Sequence, residues 1–366
     1  MWRSTVDLWS GVRDHPSMNS TTITPHPGLT ESTPEPKWAL GPGAVSWKLL
    51  QNPCVFVIAL LREGILLTLH PQFASAAVDH DRVHRDPVTR YRTIARYAYS
   101  TVYGTPEDAA RVAGFVRRNH TRVVGVEPIT GLPYQAHSEY ELALTQALLS
   151  SSWIAAYELI AGRLRDDERD QFLIEQQLAG ALLGIPPAHL PSTMDELETF
   201  IANARTRWAA GWQAREVLRP FMMGTYPEGS VIGGLPPLKR RAAARTIRAL
   251  SDITLLTMHP DELELLSIPR PPELRSRAAV HASARVLATA LGSARGVAAW
   301  DHFMKPDVGA IMDRARAAER AAGGHEVAAR SFVPPDPRPF VVEIDDLMHN
   351  MRADMTVRRP RPVAPR

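Results

Sequence analysis

Cysteine is almost absent from this sequence. Cys54 is the single cysteine among 366 residues, which excludes an intrachain disulfide and a zinc site built from several cysteines. It lies in the apolar run CVFVIALL, so we predict that it is a small core residue and not a nucleophile. The scarcity of cysteine is consistent with a reducing compartment, and we predict a cytoplasmic protein.

The sequence also lacks an unbroken apolar run long enough to cross a membrane. Its most hydrophobic window, residues 54–69, is interrupted by the adjacent charges of Arg62 and Glu63. A spanning helix needs about 20 predominantly apolar residues, so we predict no transmembrane segment. The N-terminal residues show no continuous apolar stretch of the kind that a secretory signal carries.

Charge of one sign is present in small excess only. The 42 Lys and Arg residues against 39 Asp and Glu give a formal net charge of +3, and much of this excess lies in the tail at 358–366. Because basic and acidic residues are interleaved and no aromatic stacking motif accompanies them, we predict no nucleic-acid binding. The common catalytic motifs are also missing: there is no Walker loop, GxGxxG, GxSxG or HExxH.

Helical patterns fill the middle of the chain. The pattern at 85–104 has Asp86 as a predicted N-cap, Pro87 in the first turn and Gly104 as a stop. Thr105 and Thr193 are predicted N-caps of two further helices, and Glu196 completes a capping box. We predict helical segments over 85–104, 105–123, 138–161, 166–184, 193–218, 241–258 and 276–300.

Alternating strand patterns are scarce. The short segments RVVGV (122–126) and FVVEI (340–344) are the candidates. We therefore predict an all-α fold with a single large helical domain over 38–330. A flexible N-terminal lead (1–37) and a Pro/Arg-rich C-terminal tail (331–366) are expected to flank it.

His120 lies in a strongly basic stretch, FVRRNHTRVVGV, at 115–126. Yet it continues a series at helical spacing, three or four residues apart, that predicts an inward face. That series is Ala109, Val112, Val116, His120 and Val123. The spacing leaves two interpretations open, a satisfied core histidine or a histidine that holds a ligand.

Basic and hydroxyl residues also occur inside an otherwise apolar helix, where Arg92, Thr93 and Arg96 lie within about one turn. A buried guanidinium needs a partner, which is an acid on another helix, a carboxylate-bearing ligand or water. His80 and His84 stand four residues apart, a spacing that suits a metal on a helix. Their polar neighbours favour a solvated junction instead.

Three segments in order resemble the rubber oxygenase and MpaB-type oxygenase family, which includes the bacterial latex clearing proteins. The segment 41–81 begins Gly-Pro and carries His-Pro after a hydrophobic helix. The segment 85–126 is similar to the family's Arg/Lys-Thr helix, Tyr-Gly break and histidine-terminated helix. The segment 134–191 resembles the family in its Ala-Tyr-Glu and Leu-Leu-Gly-x-Pro phrases.

The resemblance implies an all-helical fold with a globin-like core that holds haem b through one axial histidine. By this resemblance His120 is the metal ligand, and Arg92 and Thr93 are the catalytic residues on the distal side. Arg96 and Tyr97 are then the candidates to support the haem propionates. A neutral imidazole on an apolar helix face and cationic partners for propionates are what a haem requires.

Two more histidines belong to the family-like phrase HPQFASAAVDH. His70 and His80 are second-tier site candidates, expected to shape the pocket or to bond between helices. The expected function is a haem-dependent oxygenase or related oxidoreductase, with O2 and an apolar, isoprenoid- or lipid-like substrate as its partners.

The alternative is a non-enzymatic helical module that binds a hydrophobic ligand. Gln146 favours it, because many relatives carry a histidine at that position within a Trp-Val-His-Ala-Thr run. A di-metal bundle would need Glu-x-x-His pairs on two matching helices. The sequence does not place such pairs.

Overall fold

The computed structural model describes residues 38–80, 86–268 and 274–321. These ranges form α-helices, one short 3-10 helix (Pro187–His189) and a two-stranded sheet. The predicted domain boundaries near 37 and 331, and the FVVEI segment, lie outside them. The α-helices are α1 Val45–Leu50, α2 Pro53–Thr68, α3 Pro71–Asp79, α4 Pro87–Tyr103, α5 Pro106–His120, α6 Glu139–Ala161, α7 Asp166–Leu183, α8 Met194–Arg205, α9 Trp212–Met223, α10 Pro237–Leu255, α11 Pro260–Leu265, α12 Leu274–Gly292 and α13 Ala294–Ala321.

The all-α prediction is confirmed, and local chemistry explains where several helices begin. The carboxylate of Asp86 accepts the backbone N–H of Thr89 at the start of α4. Thr105 forms a reciprocal capping box with Asp108 at the start of α5, and Thr193 does the same with Glu196 at α8. Each box pairs backbone N–H groups that helix geometry leaves without an internal acceptor.

Two of the helical segments are each divided in the structure. The segment 193–218 breaks between α8 and α9, where Trp208 turns into the core and the N–H of Ala209 donates to the carbonyl of Leu69 at 2.8 Å. The segment 276–300 breaks at Ser293, whose hydroxyl accepts the N–H of Gly296 at 3.2 Å. A contact distant in sequence causes the first break and a local hydroxyl cap accompanies the second.

The strand predicted within RVVGV is confirmed as β1 (Val124–Val126). It pairs antiparallel with β2 (Pro133–Gln135), which the sequence pattern did not reveal. Gly125 lies opposite Tyr134, and a Cβ at Gly125 would come within 2.4 Å of the Tyr134 ring. The pairing therefore depends on glycine at this position.

Helix α2 passes through the core, packed mainly against α6. Arg62 and Glu63, the charges that interrupt its apolar run, are both buried. Arg62 donates to the hydroxyls of Ser151 and Ser152, each at 3.0 Å, which replaces part of its hydration. Over the described ranges no single helix has the length and apolar character of a membrane span, and α2 with α3 passes only as a pair bent by 108°.

Candidate functional site

An apolar cavity of about 180 Å³ lies between helices α2, α4, α9, α10 and α13. Helix α4 contributes every third or fourth residue to the wall, which places one face of that helix along the cavity. Aliphatic and aromatic side chains dominate the remainder. The lining residues are Phe56, Val57, Leu61, Val88, Tyr91, Arg92, Ala95, Phe221, Ile247, Leu250, Trp300, Phe303 and Met304.

Arg92 supplies the single charge among the residues described on this wall. Its guanidinium carbon lies 5.4 Å from the centroid of the Phe303 ring, a cation–π distance. Phe303 is 39% exposed, so this corner of the cavity reaches the protein surface. An apolar chamber with one cation near its opening suits a hydrophobic molecule that has a single polar or anionic end.

A group of buried polar side chains adjoins the cavity at Tyr91. Burial raises the pKa of the Glu63 carboxyl to about 7, although the charge of Arg90 opposes this shift. Burial and the nearby carboxyl of Glu63 raise the pKa of the Tyr91 phenol. The nearby Tyr226 also raises the pKa of Tyr91. The hydroxyl of Tyr226 is itself buried and has no hydrogen-bond partner among the described residues. The sequence did not predict this group of residues. The one sign of it in the sequence was the carboxylate of Glu63 within the apolar run 54–69.

The other predicted residues of α4 are not part of the cavity wall. The hydroxyl of Thr93 donates to the carbonyl of Thr89 at 3.1 Å. The hydroxyl of Tyr97 is buried and donates to the carbonyl of Ala179 at 2.7 Å, which joins α4 to α7. Arg96 is half-buried. The structure thus brings Arg92 to the cavity wall, whereas Thr93, Arg96 and Tyr97 do not line it.

His120 is the last residue of α5 and is half-buried, with its Nδ1 atom shielded from solvent. The predicted inward face is confirmed at Ala109 and Val112, which are buried, and Val116 packs against the core. His120 does not line the cavity. Its role as a ligand stays a prediction.

His70 is fully buried at the N-cap of α3, with Nε2 3.4 Å from the hydroxyl of Tyr140. Its Nδ1 finds no hydrogen-bond partner among the described residues. Burial, assisted by the charge of Arg207, lowers the pKa of His70 to about 4. The imidazole is therefore neutral at pH 7, which is the form that binds metals.

His80 lies at the surface, where its Nε2 is 3.2 Å from the carbonyl oxygen of Val124 and its ring meets Tyr134 edge-on. It joins the end of α3 to β1. His84 lies outside the described residues. The described residues contain no group of three or more His, Cys, Asp and Glu side chains that could hold a metal ion. A haem iron needs a single protein ligand and not such a group.

Gln146 belongs to a buried polar network away from the cavity wall. Its Nε2 donates to Gln176 at 3.2 Å, and Gln176 donates to the hydroxyl of Ser46 at 2.9 Å. The neighbouring carboxylate of Glu175 accepts the N–H groups of Val45 and Ser46 at 3.0 and 2.7 Å. This network fastens α1 to α6 and α7, so Gln146 has a structural role.

A family model described as "ER-bound oxygenase mpaB/B'/Rubber oxygenase, catalytic domain" matches residues 47–292, more than half of the chain. No curated protein and no solved structure matches the sequence. The matched range contains the cavity residues of α2, α4, α9 and α10, whereas Trp300, Phe303 and Met304 of α13 lie beyond it.

Proposed function

Because the chain belongs to the mpaB/rubber oxygenase family of oxygenase catalytic domains, we propose that it is an oxygenase for an apolar, isoprenoid- or lipid-like substrate. The observation that carries this proposal is the apolar cavity beside Arg92, most of whose lining residues lie within the range that matches an oxygenase catalytic domain. The walls exclude water from the reacting part of the substrate. Arg92 orients its polar end, or a bound oxygen, through a charge-assisted hydrogen bond that is strengthened by the apolar surroundings.

The volume of the cavity limits the part of the substrate that it can enclose. An apolar cavity of about 150 Å³ binds benzene, so about 180 Å³ suits a single ring or roughly one to two isoprene units. Pockets for drug-sized ligands are larger, about 300–1,000 Å³. We therefore assign this cavity to the substrate and not to a macrocyclic cofactor.

The proposed cofactor is haem b, with His120 as its axial ligand. The types of donor fit at two residues, since His120 offers a partly buried imidazole at the end of α5 and Arg96 on α4 a cation for the propionates. The hydroxyl of Tyr97, the other candidate, would have to leave the carbonyl of Ala179 to reach a propionate. When bound, haem supplies the iron at which oxygen is activated. Helices α4 and α5 pack directly against each other, so one helical pair carries all of these donors.

A binding module without catalysis is the second candidate. The cavity itself favours it, because apolar side chains from five helices already form its walls and need no cofactor for their shape. This candidate predicts that small apolar molecules bind to protein that contains no haem.

The absorbance spectrum of protein purified after haem-replete expression separates the two candidates. We expect a Soret band in the wild type and in His80→Ala, whose ring lies at the surface. We expect the band to be lost or strongly shifted in His120→Ala. His70→Ala is the matched buried control and should retain it, with circular dichroism and thermal unfolding showing that each variant is folded.

The other outcomes contradict the proposal at distinct points. A wild type without a Soret band that still binds an apolar molecule would establish the binding module. A band that survives in His120→Ala and disappears in His70→Ala would transfer the ligand role to His70, whose neutral imidazole has an available Nδ1.

A further inference from the structure

The first half of α10 is strongly cationic. No acidic residue occurs between Glu228 and Asp252, while five basic residues fall in that interval. All five are exposed: Lys239, Arg240, Arg241, Arg245 and Arg248.

Three of these arginines share one side of the helix. Leu238, Arg241, Arg245 and Arg248 are spaced by three or four residues, so their side chains form a stripe on the solvent side of α10. We call this stripe the basic face. The opposite side carries Ile247 and Leu250, which line the cavity. Asp252 continues the stripe one turn later and is its nearest acid in the helix.

Exposed aliphatic side chains border the basic face. Leu238, on the stripe itself, is 79% exposed, and Met223, at the end of α9, is 61% exposed. The end of α9 lies against α10, because a Cβ at Gly224 would be 3.1 Å from Cδ of Arg248. Apolar and cationic groups are therefore presented on the same surface.

We propose that the basic face docks on a bilayer that contains anionic phospholipids. Lipid phosphates and carboxylates match the arginines, and the acyl boundary accepts Leu238 and Met223. A nucleic acid would satisfy the charges only, and residues 227–258 contain no aromatic side chain on which a base could stack. This inference does not rest on the oxygenase proposal, since it uses the outer side of α10.

Co-sedimentation of the full chain with phosphatidylcholine vesicles, with and without phosphatidylserine, tests the proposal. We expect binding that requires phosphatidylserine and falls as salt rises. Each basic residue near an anionic surface changes the affinity about fivefold. The double variant Arg241→Gln/Arg245→Gln should therefore bind about 25-fold more weakly. Leu238→Ser should also weaken binding but leave its salt dependence unchanged.

The matched control is Arg285→Gln/Arg295→Gln, which removes two equally exposed arginines from α12 and α13. It should bind vesicles like the wild type. Equal weakening in both double variants would mean that only net charge matters and would overturn the proposal. Vesicle binding by Arg241→Gln/Arg245→Gln at the wild-type level would overturn it too. So would tighter binding of the wild type to a DNA duplex than to the vesicles, or a change in the oligomeric mass of the double variant.

Discussion

Replacing Ala95 by leucine should stabilise this protein, although the substitution enlarges a buried residue. Ala95 is buried on α4 and its side chain faces the cavity. Enlarging a core residue usually costs about 1–3 kcal/mol, because packed neighbours must move. Here the added carbons enter a volume of about 180 Å³ that protein atoms do not fill.

The magnitude follows from the three carbon atoms that leucine adds. At about 0.8 kcal/mol for each buried methylene, they contribute roughly 2.4 kcal/mol. Fixing the leucine side chain costs about 0.5–1 kcal/mol, so the free energy of unfolding should rise by about 1–2 kcal/mol. For a large domain this corresponds to an increase in Tm of roughly 2–8 °C.

The matched control is Ala98→Leu, the same change one turn further along α4. Ala98 is buried in the core and does not line the cavity, so we expect a loss of about 1–3 kcal/mol. Denaturant unfolding of both variants gives the comparison. We expect toluene, a single-ring probe, to stabilise the wild type against heat, and Ala95→Leu should abolish this effect.

Two results would refute this reasoning. If both variants lose similar free energy of unfolding, the space beside Ala95 is not available to a side chain. If Ala95→Leu is stabilised but still responds to toluene like the wild type, the cavity is not the site that binds apolar ligands. The second result would remove the support for the substrate assignment and leave the family membership untouched.

Two further predictions concern buried carboxylates. Burial raises the pKa of Glu141 to about 8, so the native state holds a proton that the unfolded state releases at lower pH, and stability falls as pH rises towards that value. Glu141→Gln should remove this pH dependence, and at pH 9 its free energy of unfolding should exceed that of the wild type by at most about 5 kcal/mol. If urea unfolding gives the same difference between variant and wild type at pH 5 and at pH 9, the prediction is wrong. Glu175→Ala removes the acceptor of two N–H groups at the start of α1 and should cost about 2–4 kcal/mol, with Glu175→Gln intermediate; a loss below about 0.5 kcal/mol would show that water replaces the carboxylate.

The helix boundaries that were predicted correctly depend on neighbouring residues. Asp86, Thr105 and Thr193 each cap a helix through a contact within three residues, and Gly184 ends α7 in a left-handed conformation. Such signals are complete in a short window of sequence. The break between α8 and α9 depends on a hydrogen bond from Ala209 to Leu69, about half of the domain away in sequence. A local pattern cannot contain that information.

The same limit applies to the site. Of the adjacent residues Arg92 and Thr93 on α4, Arg92 lines the cavity and Thr93 does not. The sequence alone does not show which of the two residues lines the cavity, because this depends on which helices pack against α4. Phe221, Ile247 and Phe303 complete the wall from helices far along the chain. The family resemblance identified the helix, and tertiary packing selected Arg92.

Helix α10 relates the two proposals without making either depend on the other. Its outer side carries the basic face, and its inner side brings Ile247 and Leu250 to the cavity. A molecule apolar enough to fill that cavity partitions into membranes, so docking through α10 would bring the protein to its substrate. The two functions use different side chains of one helix. Arg241→Gln/Arg245→Gln should therefore lose vesicle binding and retain the response to toluene, whereas Ala95→Leu should show the reverse.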